Sequence, residues 1–238
     1  MTPPLTKGLS TGPTANIEPD GPAALPPDVY EGQFGTFTIT KDDRADVIWY
    51  RAGLAVAASS FAAGVLSLFI AGDRAPLIAT ACYGLMWCAL GLSFFKIHIY
   101  LRPLHRALQI FWAVGGLASL AIALLYPGPL ALTAYQQPLT ILGIGFTFAS
   151  MTGLFIKEAF CFNRLETKFL VVLVPGLLLG HMVGVLSAAT EQNMLIGWAL
   201  LFSVFALRKA FQAIPPDIGD KSVFDYLAKE RLAKKQAA

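Results

Sequence analysis

Fifty consecutive residues, Ala107 to Ile156, carry no charged side chain. A soluble domain averages about 25% charged residues, so a run this long has no side to present to water. A hydrocarbon core about 30 Å thick is crossed by about 20 apolar helical residues. The run is long enough for two crossings, divided at Tyr126-Pro127-Gly128-Pro129. Comparable uncharged runs lie at Ala52–Ala71, Leu77–Phe95, Phe169–Ala189 and Gln192–Leu207. Together they predict an all-α membrane protein: six transmembrane helices arranged as three tandem hairpins, with short cytoplasmic flanking elements. The chain of 238 residues is 55% hydrophobic and 14% charged, which suits one membrane domain and no separate soluble domain of ordinary size.

The cations orient the spans. Lys41, Arg44, Arg51, Lys96, Arg102, Arg106, Lys157, Arg164, Lys168, Arg208 and Lys209 fall near span ends on one side, and Arg74 alone on the other. Such asymmetry is the positive-inside pattern, so both termini are expected in the cytoplasm.

Four stretches organise the chain. Residues 1–29 hold seven prolines and no apolar run, and are expected to be a disordered tail. Residues 30–50 read as an interfacial segment, with β-formers over Tyr30–Thr40 and then Thr40 and Asp43 as an N-cap signal. The transmembrane domain occupies 51–209. The remainder, 210–238, is a cytoplasmic tail in which Ser222 and Asp225 cap a short amphipathic helix. A 12-residue spacing from Gly84 to Lys96, Gly145 to Lys157 and Gly197 to Lys209 agrees with three hairpins.

Span five holds the sharpest constellation. Gly176, Gly180 and Gly184 recur every fourth residue, a bare stripe suited to close helix packing. His181 lies beside it near the middle of the span, where an ionisable group needs a partner, and Pro175 precedes it as a kink. Three readings of His181 stand: a hydrogen bond to Thr147 or Ser150 of span four, a proton or transport role, or ligation of a haem or chlorophyll. The expectation is no cofactor, with His181 the single candidate ligand.

Basic groups mark a second candidate site. Lys96, His98, Arg102, His105 and Arg106 lie where span two passes into span three, and Arg164 between spans four and five. They are candidates for binding lipid phosphate, an anionic ligand or an acidic partner segment, or serve as positive-inside anchors. Glu158 at the membrane edge is expected to pair with Lys96, Arg102 or Arg106. Tyr100, Phe160, Phe162, Phe224 and Tyr226 accompany the charges, so the cytoplasmic segments are expected to form one partner-binding face. No zinc-ligand spacing, hydrolase elbow, phosphate loop or dinucleotide fingerprint occurs, and Cys82, Cys88 and Cys161 read as packing residues. Neither an enzyme nor a nucleic-acid partner is expected.

The connecting motifs carry a resemblance. Tyr-Glu-Gly-Gln-Phe-Gly from Tyr30, His-Ile-Tyr-Leu-Arg-Pro-Leu-His-Arg from His98, Gln-Pro-Leu-Thr-Ile-Leu-Gly from Gln137, Lys-Glu-Ala-Phe-Cys-Phe-Asn-Arg-Leu-Glu-Thr-Lys from Lys157, and Ile-Pro-Pro-Asp-Ile-Gly-Asp-Lys-Ser-Val-Phe from Ile214 resemble a family of integral membrane proteins of unknown function from cyanobacteria, with plastid relatives. The likeness spans about residues 30–227. It implies a thylakoid or plasma membrane, and no activity. Two functions follow: a non-enzymatic protein that binds membrane lipids and partner subunits or assists assembly of a photosynthetic complex, or a small-solute or proton-coupled transporter using the kinked fifth helix and His181.

Overall fold

In the computed structural model, residues 28–99 and 101–236 are described. Tyr100, residues 1–27 and residues 237–238 lie outside them, as do the side chains of Asp225, Arg231, Lys234, Lys235 and Gln236. The chain divides into two compact units, one of the residues up to Ile48 together with Ala213 onward, the other Trp49–Gln212.

The first unit joins two distant motifs. Strands β1 (Val29–Gly32) and β2 (Gly35–Thr38) form an antiparallel hairpin in which Tyr30 faces Phe37 and Gly32 faces Gly35. Helix α1 (Lys41–Ile70) then begins on a reciprocal cap. The Asp43 N–H donates to Thr40 Oγ1 at 3.2 Å, and the Thr40 N–H to Asp43 Oδ2 at 2.8 Å, so orphan amides of the first turn are satisfied as a capping box satisfies them. From the other end of the chain come α8 (Pro215–Ile218) and α9 (Ser222–Gln236). Ile218 is buried with Tyr30, Phe37, Ile39 and Val47. Asp220 Oδ2 accepts from the Gln33 N–H at 2.6 Å and Ser222 Oγ from the Phe34 N–H at 3.1 Å, so both amides of the hairpin turn are satisfied by the far terminus. Lys221 Nζ reaches Asp43 at 2.7 Å, and Phe34 stacks on Tyr226 at 4.1 Å.

The second unit is helical. After α1 come α2 (Ala75–Lys96), α3 (Arg102–Leu125), a short α4 (Leu130–Gln136), α5 (Ile141–Phe162), α6 (Leu165–Met182) and α7 (Ala188–Ala210). Six of the helical segments are long and apolar enough to cross a membrane, as the uncharged runs predict. Pro76 and Pro103 stand in the first turns of α2 and α3, where a missing N–H costs nothing. α3 packs on α5, α5 on α6 and α6 on α7. The core between them holds Leu54, Leu90, Phe94, Met151, Phe155, Leu170, Trp198, Phe202 and Phe205.

Helices α2 and α3 are clasped by two tryptophans. Trp87 and Trp112 stack at 4.4 Å with 10° between their planes. Trp87 Nε1 donates to the Trp112 carbonyl at 3.0 Å, and Trp112 Nε1 to the Trp87 carbonyl at 2.8 Å. Each ring lies against a glycine of the opposite helix, Trp87 against Gly116 and Trp112 against Gly91. The sequence repeats Trp-x-x-x-Gly at both places, so each helix supplies a ring and, one turn later, the gap for its neighbour's ring.

Three expectations change. The fourth crossing does not follow directly on the split at Pro129, since α4 and a 3-10 turn at Pro138–Thr140 come before α5. The last span starts at Ala188, four residues before the uncharged run, because Ser187 Oγ accepts from the Thr190 N–H and caps it. Span five is shorter than its apolar run. The Val185 N–H reaches the Gly180 carbonyl at 3.1 Å and the Gly184 N–H the His181 carbonyl at 3.0 Å, while Gly184 has φ +71°. This pair of bonds around a left-handed glycine is a Schellman stop. Gly184 therefore ends the helix instead of extending a packing stripe along it.

Candidate functional site

The helix stop at Gly184 places His181 in the last turn of α6, not at the middle of a span. The chain turns and re-enters as α7, whose first turn carries Glu191. His181 Nδ1 lies 2.7 Å from Glu191 Oε1, and Nε2 lies 3.1 Å from the Tyr135 carbonyl oxygen of α4. The Tyr135 ring stacks on the imidazole at 5.1 Å. Thr147 and Ser150 are not its partners. Thr147 Oγ1 bonds the Tyr83 hydroxyl, and Ser150 Oγ donates to the Thr147 carbonyl.

Both ring nitrogens of His181 thus face oxygen acceptors. Two hydrogen bonds require two protons, carried either both by the ring or one by the ring and one by the Glu191 carboxyl. The pair joins the last turn of α6 to the first turn of α7. Its two side chains are each 16% exposed.

His181, Glu191 and Tyr135 line one end of a cavity of about 480 Å³ inside the second unit. Phe61 of α1, Met86 of α2, Phe148 of α5, Leu177 of α6 and Trp198 of α7 line it further in, and the wall is mostly apolar. Tyr83 also borders it, but its hydroxyl is engaged by Ser119 at 2.7 Å and Thr147 at 3.0 Å. On α7, Glu191, Leu195 and Trp198 recur at helical spacing along the wall. Gly176 meets only the Met194 side chain, at 3.7 Å from a would-be Cβ, and Gly180 is covered by Leu186. The three glycines bring no second backbone against α6.

A different arrangement occupies the opposite, basic end of the bundle. Glu158 is fully buried and accepts from Lys209 Nζ at 2.6 Å, Lys157 Nζ at 2.9 Å and the Tyr50 hydroxyl at 2.9 Å. Lys209 Nζ also lies 4.0 Å from the centre of the Phe162 ring. These partners stand where Lys96, Arg102 and Arg106 were expected, because the salt bridge to Lys209 joins the end of α5 to the end of α7. Arg164 bonds the Gln212 side-chain oxygen, and Arg51 Nη1 donates to the Gln212 carbonyl at 2.5 Å.

Of the basic candidates, Arg102, His105 and Arg106 share one open groove with Phe95, Gln109 and Trp112. Lys96, His98 and Arg164 do not line it. His105 Nε2 is 2.6 Å from the Phe94 carbonyl, to which Gln109 also donates at 3.2 Å, so His105 closes the end of α2. Among the described residues, no group of three or more His, Cys, Asp or Glu gathers as a metal site would require.

Residues 92–226 match the model of a family described as uncharacterized integral membrane protein (DUF2301). That is more than half of the chain. The chain belongs to this family. Membership and the six apolar helices agree that it is an integral membrane protein. The matched stretch begins in α2 and ends in α9, and so includes the Arg102 groove, Glu158 with Lys209, and His181 with Glu191 and Trp198. No curated protein and no solved structure matches the chain.

Sequence reasoning found His181 and missed Glu191, Tyr135 and Trp198. A signal for Glu191 was present. Gly184 as a stop and Ser187 as a cap make a tight helix-turn-helix that returns residue 191 to residue 181. For Tyr135 and Trp198 the sequence holds no comparable mark.

Proposed function

We propose that the protein binds a small, largely apolar molecule within the membrane, held in the cavity walled by α1, α2 and α4–α7. The observation that carries this reading is the cavity itself, with the His181–Glu191 pair at one end of an otherwise apolar wall. Sites for small molecules combine apolar walls with a few convergent polar groups. The pair adds a place to hold or exchange protons, which supports the transporter alternative over a purely structural role for His181. On this reading both termini lie in the cytoplasm, supported by the one-sided cations, and the polar end of the cavity faces the opposite compartment. The loop motifs support a thylakoid or plasma membrane of a photosynthetic cell.

Partner binding, and with it assistance in assembling a membrane complex, is the second reading. It is favoured by the groove at the basic end, where exposed Arg102 and Arg106 stand beside Phe95 and Trp112.

The cavity reading is tested by native mass spectrometry after gentle release from lipid nanodiscs. Wild type should retain an apolar adduct, and Gly145→Leu should lose it. Gly145 borders the cavity, and a Cβ there meets only Ile141 at an ordinary 3.7 Å, so the longer side chain is tolerated while taking up volume. A Gly145→Leu protein that keeps the adduct, or a wild type that takes up no apolar probe, would sink the reading.

A further inference from the structure

The groove at the basic end of the second unit has a graded lining. Arg102, Arg106, Gln109 and Ala113 recur at helical spacing on one face of α3, and Ile110, Trp112 and Phe95 of α2 complete it. From Arg102 to Ala113 is about 16 Å along the helix axis, close to half of a hydrocarbon core about 30 Å thick. Charge stands at one end, the Gln109 amide lies between, and apolar side chains follow at depth. The groove measures about 600 Å³, within the range of small-molecule sites. Its wall is fixed by its own contacts: Trp112 stacks on Trp87 at 4.4 Å and meets Phe95 edge-on at 5.8 Å.

The polar groups of the groove divide into committed and available. His105 and Gln109 both turn to the Phe94 carbonyl. Arg102 and Arg106 are exposed, and neither has a hydrogen-bond or ion-pair partner among the described residues. No Asp or Glu occurs from Arg74 to Lys157, and Glu158 is taken by Lys157 and Lys209. The lining therefore offers two guanidinium groups and no carboxylate. Residues four apart on a helix have Cβ atoms about 5–6 Å apart, so both guanidiniums can grip one phosphate group.

Three features choose the occupant. A headgroup with its own ammonium would bring a third cation and find no carboxylate to receive it. An acidic peptide lying along the groove would carry backbone N–H and C=O groups past Ile110 and Ala113, at a depth where lipid offers them no partner. Free phosphate would leave the apolar half unused. We infer that the groove binds an anionic phospholipid of the leaflet at that end, its phosphate between Arg102 and Arg106 and one acyl chain along Ile110, Trp112 and Ala113. Basic pockets between transmembrane helices recognise lipid headgroups in this way. The inference does not rest on the cavity reading, and it gives to a lipid the groove that favours a protein partner in the second reading.

The test is a native mass spectrometry titration of the full chain, stripped of lipid in detergent, with dioleoyl phosphatidylglycerol and dioleoyl phosphatidylcholine. Wild type should bind the anionic lipid about twentyfold more tightly, since each arginine near the surface contributes about fivefold. Arg102→Gln/Arg106→Gln should bind the two lipids equally and keep the wild-type melting temperature. Lys168→Gln, which removes a cation at the same end but outside the groove, should keep the preference. Equal affinity of wild type for the two lipids overturns the inference. So does a preference that survives in the double variant, or one lost as fully in Lys168→Gln, which would mean diffuse attraction to the basic end. Glycerol phosphate should fail to displace the bound lipid, and displacement at matching concentration would overturn the assignment to a lipid. The wild-type ratio and Lys168→Gln decide the matter even if the double variant does not fold.

Discussion

Lys209 Nζ lies 2.6 Å from Glu158 Oε2, and both side chains are wholly buried. Taking two charges out of water costs several kcal/mol per ion, which attraction offsets only when the remaining polar atoms are also satisfied. Here the other carboxylate oxygen accepts from Tyr50 and Lys157, and the ammonium faces the Phe162 ring. The pair ties α7 to α5, and through Tyr50 to α1.

Breaking that pair from one side leaves a buried charge without its nearest counter-charge. Lys209→Met and Glu158→Gln are each expected to destabilise the protein by about 3–5 kcal/mol. The double variant should recover much of the loss. Thermal melts in detergent give the comparison, and single variants that melt like wild type would refute the assignment.

The tryptophan clasp should show coupling between its halves. Gly116→Ala puts a methyl group against the Trp87 ring, and overpacking of this kind costs about 1–3 kcal/mol. Combining it with Trp87→Ala, which removes the ring that clashes, should cost less than the sum of the two changes. Strict additivity in a double-mutant cycle would mean the contact is not made.

Gly184 and Gly176 separate a helix stop from a packing stripe. Gly184→Ala forces an L side chain to φ +71° and is expected to cost about 1 kcal/mol. Gly176→Ala meets Met194 at ordinary contact distance and should be near neutral. Equal penalties in melting experiments would restore the stripe.

Asp220 gives the first unit a pH dependence. Burial opposes its ionisation, but hydrogen bonds from the Ser222 hydroxyl, the Gln33 N–H and the Ser222 N–H outweigh this and hold the carboxyl below the usual carboxylate range. Between the lowered folded value and the unfolded value of about 3.9, the unfolded state binds more protons. Stability from Asp220 is therefore present above the unfolded value and lost as pH falls through the folded one. Protection of the Gln33 amide from hydrogen exchange, taken relative to its intrinsic rate, should fall with acidification over that window, and Asp220→Asn should flatten the dependence. An unchanged profile in Asp220→Asn would assign the effect elsewhere.

Topology has a chemical test. In a background lacking Cys82, Cys88 and Cys161, cysteines at Arg74, Ala131 and Val185 should all react with a membrane-impermeant thiol reagent from the side opposite both termini. Labelling of any of the three from the cytoplasmic side would contradict the orientation set by the cations.

What was legible in the sequence was local. Six crossings follow from uncharged runs, and the start of α1 from Thr40 and Asp43; the Ser222–Asp225 cap rests on a side chain outside the described residues, and the Ser222 hydroxyl bonds Phe34 and Asp220. Hydropathy and caps act within a few residues, so they survive reading without a fold. The stop at Gly184 was local too, yet a glycine at a four-residue spacing reads equally well as packing or as a terminus, and its positive φ decides. The motifs around Tyr30 and Ile214 were noticed separately. Only the folded chain brings Asp220 and Ser222 onto the amides of Gln33 and Phe34, across 187 and 188 residues. Glu158 likewise had several cations within reach by sequence. Its choice of Lys209, and the gathering of Tyr135, His181, Glu191 and Trp198 on one cavity, depend on which helices lie side by side, a property of packing that no single segment encodes.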